Sequence, residues 1–399
     1  PTWRWSGWTT SSRASSARRP DPSEGGVLAV IDRDTGARLG LSLAPDGWLA
    51  ALARRSEAVV IPLGALLAGF AVFGLFLLTQ GKSPADFYGL VYKAGFGTWF
   101  SWQNTLSRAA PLLLAALCVA LPARLGLIVI GGEGAIVIGG VTAGAVAGSL
   151  AGMPGALGLI ALALAGGLAG AVWIGTVGAL RHYRGVNETI ASLLMAYIAI
   201  ALMNHLVEGP LRDPASLNKP STPPLAEHLR IGDMPGMDVH WGFAVGVAAC
   251  VLAWVLMERT TWGFAARIAG GNVRAAQVQG LPVGRLIVAF TALGGAFAGL
   301  AGMIEVSAVH GAANGAIVAG FGYTGILVAF LARHNPLAII PVAILLAGFE
   351  ASSGLVQRRM DLPDATVLVL QGFVFVAILA SETLYGRFRL FAPERWRTS

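Results

Sequence analysis

The sequence predicts an all-α, polytopic membrane protein with about ten transmembrane helices, weak internal duplication and some broken or re-entrant helices. Three observations predict it. Of 399 residues, 55% are hydrophobic and 12% are charged, about half the ~25% charged share of soluble domains. Apolar stretches of membrane length recur along the chain, separated by short polar connections. Glycine is abundant at 53 residues, as expected where membrane helices approach through small side chains.

The formal charge of +7 raises the possibility of nucleic acid, but the basic residues flank apolar runs, so topology explains them and no nucleic-acid face is expected. Cys118 and Cys250 both lie inside apolar runs and are expected to be buried free thiols.

Residues 1–56 differ from the rest. Trp3–Glu24 is rich in Ser, Arg and Pro without apolar periodicity and predicts disorder. Val27–Leu43 has the pattern of a small hairpin turning at Asp34-Thr35-Gly36. The whole stretch is expected to be a disordered or variable extension. The first long apolar run starts near Val59 without a small-residue cleavage pattern after it, so an uncleaved helix is expected there and no signal peptide.

The apolar segments run Val59–Thr79, Ala109–Leu121, Leu127–Leu150, Ala156–Leu180, Thr189–Val207, Trp241–Met257, Leu286–Val306, Gly322–Ala332, Leu337–Leu355 and Ala365–Ala380. Gly322–Ala332 is too short to span and predicts a broken or re-entrant helix; Ala109–Leu121 is short as well. With ten spans, the arginine-rich N-terminal tail, Arg181 and Arg184, the 258–285 loop, Arg333 and the C-terminal Arg387, Arg389, Arg395 and Arg397 fall on one side. That side is the cytoplasm by the positive-inside rule, and both termini are expected there. Arg358 and Arg359 fall on the other side, against the rule. The membrane domain is expected to cover 57–385, and 386–399 to form a cytoplasmic tail.

Two longer segments are expected outside. Gln80–Trp102 carries seven aromatics from Phe87 to Trp102, suited to a headgroup interface. Glu208–His240 is polar and rich in proline; it either docks an external partner or connects two helices.

The cytoplasmic loop 258–285 is the most informative stretch. Arg259, Arg267, Arg274 and Arg285 accompany a single acid, Glu258. Within it Asn272 predicts a helix cap, Arg274–Gln279 a short helical body, Gly280 a stop and Pro282 a block to continuation. A compact helix at the membrane surface is a handle for a soluble partner.

Polar residues at membrane depth mark a path or a partner, because unpaired charges there cost about 2.5–3.5 kcal/mol. Glu133 sits among Gly131, Gly132 and Gly134, where a broken helix exposes backbone amides. Asn187 and Glu188 open a helix, with capping and function equally open. Glu305 and His310 close another, before a glycine-rich segment containing Asn314 and Tyr323; an interfacial role for His310 stays open, as does a helix-bridging role for Gln371. Glu133–Gly139 (EGAIVIG) and Asn314–Gly320 (NGAIVAG) echo each other, one in each half.

These segments resemble the membrane subunit of ABC importers, in the group containing permeases for ribose, branched-chain amino acids and nucleosides. The nucleoside-type permeases that work with a basic-membrane-protein-like lipoprotein are the most similar. The resemblance rests on Ile130–Gly134, Arg184–Ile200, Gly209–Pro214, Thr261–Gly271, Asn272–Gly280, Gly302–His310 and Gly322–Pro336, in that order. It implies an importer subunit without enzymatic activity or cofactor of its own. ATP and Mg would be bound by a separate ABC ATPase, since no G-x-x-x-x-G-K-[ST] loop is present. A second permease and an extracytoplasmic lipoprotein are implied as partners, in a bacterial inner membrane. By the resemblance, Arg267, Asn272, Arg274, Ala275, Ala276, Gly280 and Leu281 belong to the ATPase-coupling loop, with Arg267 and Arg274 placed to pair with acids of the ATPase. Glu133, Asn187, Glu188, Tyr197, Glu305, His310, Asn314 and Tyr323 would line the substrate path. Val129, Ala135 and Ala196 stand where related permeases commonly carry Asn, Gln and Asn, so the nucleoside itself is not fixed. Branched-chain amino acids or a sugar are the alternative substrates. An ion-coupled secondary transporter working through Glu133 or Glu305 is the alternative mechanism. No metal-ligand or nucleophile cluster supports an intramembrane enzyme.

Overall fold

The computed structural model describes residues 46–216 and 218–382. The segments expected at Trp3–Glu24, Val27–Leu43 and 386–399 lie outside the described residues. Among the described residues thirteen α-helices follow one another: α1 Asp46–Thr79, α2 Pro84–Gly95, α3 Trp99–Ala123, α4 Gly132–Leu150, α5 Gly155–Arg184, α6 Glu188–Glu208, α7 Gly242–Arg259, α8 Thr261–Gly271, α9 Val273–Val278, α10 Val283–Ile304, α11 Phe321–Leu331, α12 Pro336–Met360 and α13 Ala365–Glu382. A π-helical turn, Glu305–His310, extends α10. Among the described residues extended pairing is limited to isolated bridges, Ser221 with Asn314 and Asp233 with His240.

Seven helices are long and apolar enough to cross a membrane (α3 to α7, α10 with its π turn, and α12); three shorter apolar stretches lie at Leu63–Thr79, Gly315–Leu331 and Ala365–Ser381. These match the ten apolar segments of the sequence. The broken segment is confirmed: a short 3₁₀ turn at Gly315–Ile317 precedes α11, which is only 11 residues long. Chain alternation gathers Arg124, Arg181, Arg184, α8 and α9 at one end, and Glu208–His240 with the end of α12 at the other.

The central helix is α3, whose residues from Ala109 to Pro122 are all buried, and which packs against α7, α10, α11 and α12. Its length corrects the expectation of a short Ala109–Leu121 segment: the helix starts at Trp99, capped by Thr98, and carries Pro111 inside it. The expected outer segment Gln80–Trp102 is therefore α2 plus the first turn of α3. Its aromatics divide between two jobs. Phe87 is fully buried against Phe73, at 5.1 Å between ring centroids, and the Tyr88 hydroxyl donates to the Phe70 carbonyl, whereas Tyr92, Trp99 and Phe100 stay exposed. Aromatic density alone cannot separate interface from core, because both environments favour large amphipathic rings.

The most extensive packing joins α5 to α10, and glycine permits it. A methyl group on Gly295 would collide with the Gly170 carbonyl, and one on Gly299 with the Gly166 carbonyl. Between lipid-soluble helices no hydrophobic force drives association, so backbone-to-backbone packing through small residues replaces it.

Candidate functional site: a polar core at the broken helix

The chain leaves α3 through Arg124 and runs irregularly from Leu127 to Gly131 before α4 begins. Side chains of α6 satisfy this non-helical backbone inside the bundle. Ile130 N donates to Ser192 Oγ at 3.0 Å, and Thr189 Oγ1 donates to the Ile128 carbonyl at 2.9 Å. Unpaired backbone is not tolerated at membrane depth, and here protein groups replace water.

Glu133, in the first turn of α4, is fully buried. Its two carboxyl oxygens accept from the backbone amides of Gly320 (2.8 Å) and Gly322 (2.6 Å), at the start of α11. The carboxyl group thereby fills the amides that a helix N-terminus leaves without intrahelical partners. Gly320 takes φ 84° there, and a side chain on Gly322 would collide with the Glu133 backbone nitrogen. The two echoed sequence segments thus meet, the first as α-helix and the second around a 3₁₀ turn.

Around this staple the structure brings together some expected site residues and separates others. Tyr323 lies within electrostatic range of Glu133 and Tyr197, and both tyrosines are exposed on the bundle surface. Glu305 is buried and pairs with His310 at 3.6 Å across the π-helical turn, with Arg108 and Glu350 in its field. Asn314 caps the 3₁₀ turn by accepting from Ala316 N at 2.8 Å. Asn187 and Glu188 stand apart from this group. Asn187 accepts from Ile190 N at 3.1 Å as the cap of α6, and Glu188 pairs with Arg181 of α5 at 3.2 Å. The capping account describes that pair. Val129, Ala135 and Ala196 are fully buried, and Gly134 packs directly on Ala196.

Sequence reasoning missed Arg108 of α3 and Glu350 of α12. Glu350 is one charge within the apolar run Leu337–Leu355, the same signal that singled out Glu133, whereas Arg108 only borders the run that starts at Ala109. Glu350 faces Thr324 of α11, Arg108 and Gln371 of α13.

At the other end, α8 and α9 form the expected surface module. Asn272 caps α9 by accepting from Ala275 N at 3.0 Å, and Gly280 stops it in a left-handed conformation at φ 77°. Arg267, expected to pair with acids of a partner, makes its pairs within the chain here while its side chain stays half exposed. It donates to Glu258 at 3.0 Å and to the Met257 carbonyl at 3.1 Å, and Arg124 pairs with the other Glu258 oxygen at 3.2 Å. Ala276 faces inward and is fully buried, while Val278, which the sequence did not single out, is 89% exposed. Arg274, Ala275 and Gly280 are exposed beside it.

Comparison with known proteins places this architecture. Residues 101–379 match the family described as branched-chain amino acid transport system / permease component. The chain is 32% identical to a glucose ABC transporter permease protein of Haloferax volcanii, over 82% of this chain and 89% of that one. It is 28% identical to a guanosine ABC transporter permease protein of Bacillus subtilis, over 84% of this chain and 96% of that one. With a nucleoside ABC transporter permease protein of Lactococcus lactis it shares 22% identity, over 80% and 91%. Helices that satisfy their own backbone, a carboxyl-stapled broken helix and an exposed amphipathic module at one end, together with this match, make the chain a member of the branched-chain amino acid transport system permease family, a multi-pass ABC transporter permease.

Proposed function

We propose that this chain is the membrane subunit of an ATP-driven importer and moves a neutral polyhydroxylated solute, a nucleoside or a sugar, by alternating access. The observation that carries the coupling half is α8–α9: a capped, terminated helix pair presents Val278, Arg274 and Ala275 outward on a base held by the Arg124–Glu258–Arg267 clamp. A separate ATPase would bind this face and hydrolyse ATP. A second permease and an extracytoplasmic binding protein complete the proposed assembly, in the plasma membrane with both termini cytoplasmic.

Two observations support the solute class. Relatives along most of the chain's length carry glucose, guanosine and nucleoside names. The amides at the start of α11, where an anionic solute would be caught, are filled by Glu133. That disfavours a carboxylate-bearing amino acid at this helix end. Tyr197 and Tyr323 offer faces on which a base or sugar ring stacks, and Glu305, His310 and Asn314 lie toward the opening of the same path.

The test is uptake of labelled guanosine, glucose, ribose and leucine by cells with and without the gene, under ATP depletion and, separately, proton-gradient collapse. Gene-dependent uptake of guanosine or a sugar that needs ATP and survives gradient collapse is expected. Uptake that follows the gradient would make the chain an ion-coupled transporter, and ATP-dependent leucine uptake would replace the solute.

A further inference from the structure

Arg108 lies nine residues inside α3, about 13 Å along the helix from Trp99. Among the described residues it makes no direct ion pair, and its side chain is exposed beside the turn of α3 that meets Asp238 and His240. Beside it is a cavity of about 240 Å³ lined by Arg108, Phe321, Glu350, Ser353 and Asp364 together with apolar residues of α13. A second cavity of about 580 Å³ adjoins it through Arg108, Ser353 and Asp364, and adds Lys93, Arg358 and Asn104. Arg108 and Asp364 are exposed and Glu350 is half-buried, so polar side chains line the two cavities from the helix ends at Asp364 inward to Glu350. Behind Glu350, Gln371 of α13 is only 4% exposed and approaches the carboxylate without closing a full hydrogen bond to it.

The chemistry of the lining narrows the ligand. Arg108, Lys93 and Arg358 offer donors, Glu350 and Asp364 offer acceptors, and Ser353 offers both. Charges of both signs are present, so a strongly charged ligand would leave one sign unmatched. A ring bearing several hydroxyls supplies a donor and an acceptor at each position and satisfies both sets. The combined cavity falls in the size range of small-molecule pockets, about 300–1,000 Å³. We propose that Arg108, Glu350, Ser353 and Asp364 form a binding site for the hydroxylated ring of a sugar or nucleoside ribose, reached from the end of the bundle that carries Asp364. This rests on the transporter reading above and deepens it by naming the residues that hold the solute.

The experiment uses the full-length chain in nanodiscs, and separately the complete transporter in cells. Binding of guanosine, ribose, glucose and leucine is measured by calorimetry on wild type and on Glu350→Gln, Arg108→Gln, Arg108→Lys and Ser353→Ala. The expected result is measurable binding of at least one hydroxylated ligand, weakened about tenfold or more in Glu350→Gln and Arg108→Gln, as for a lost hydrogen bond to a charged group. Ser353→Ala should weaken it by a smaller factor, and Arg108→Lys should restore part of the loss. Thermal melting of each variant shows whether it is folded, and in cells KM should rise for the folded variants with little change in kcat. Leucine binding with no hydroxylated ligand bound would overturn the proposal in favour of a zwitterion site. Unchanged affinities and KM in folded Glu350→Gln and Ser353→Ala would overturn it too. That outcome is separable from failure of the transporter reading, which would appear in wild type as loss of ATP-dependent uptake.

Discussion

At the residue scale the decisive contact is Glu133 with Gly320 and Gly322. Replacing Glu133 with Gln leaves one carbonyl oxygen to accept one amide and turns an NH₂ group toward the other, so one buried donor faces another. An unsatisfied buried donor costs about 1–3 kcal/mol. Glu133→Gln should therefore lower the melting temperature of the purified permease while leaving membrane insertion intact, read by melting and by membrane fractionation. Gly322→Ala should be comparably harmful for a steric reason, since its methyl group meets the Glu133 backbone and overpacking costs about 1–3 kcal/mol. Equal melting temperatures for Gly322→Ala and wild type would show that the two helix starts move apart freely.

At the scale of elements, α9 separates what holds the helix from what it presents. Val278→Asp changes a side chain that is 89% exposed, so stability should shift by no more than about 0.5 kcal/mol. Association with the proposed ATPase should nevertheless be lost, as measured by co-purification. Ala276→Asp should instead lower the melting temperature, because it forces a carboxylate into a fully buried position beneath the helix. Full ATPase recovery with Val278→Asp would remove this face from the coupling surface. The cap, body and stop of α9 were legible because Asn272, Gly280 and Pro282 act locally, through backbone geometry within a few residues. Which side of α9 faces inward was not legible. A six-residue helix has no periodicity long enough to define a face, and the partner surface comes from elsewhere in the chain. The same limit explains Arg267: its pairing with Glu258 is i, i+9 across a helix boundary, beyond the reach of helical spacing rules.

At the scale of the whole bundle, span number and the broken helix were legible from hydropathy and glycine placement, because the bilayer imposes length on every element. The pairing of α5 with α10 was not, since glycine abundance does not say which glycines face each other. Nor was the convergence of Arg108, Glu350 and Glu305, which lie on different helices far apart in sequence. The connection Glu208–His240 acquires its order from such long-range contacts. Thr222 N donates to the Ala313 carbonyl at 2.9 Å, Leu225 N to Gly311 at 2.8 Å, and Ile231 N to Ser307 at 3.2 Å. It closes at His240, whose Nε2 meets the Ser107 carbonyl of α3 at 3.2 Å. A carbonyl only accepts, so Nε2 carries the proton and the buried, unpartnered Nδ1 is left bare. Burial pushes the imidazole below its usual range, against opposing pulls from the Ser107 carbonyl and Asp233. The folded state then binds fewer protons than the unfolded chain. The contribution of His240 is complete above the unfolded value near pH 6.5 and declines as pH falls toward the lower folded value. Melting temperature should therefore fall between pH 7.5 and 5.5. His240→Gln, whose amide still donates to Ser107 but does not titrate, should flatten part of that fall. His334, also held low by burial and by nearby Arg124, should account for a further part at the opposite end of the bundle, so His334→Gln should flatten the profile independently. If both single variants and the double variant reproduce the wild-type slope, neither histidine links protonation to folding, and His240 serves the connection by shape alone.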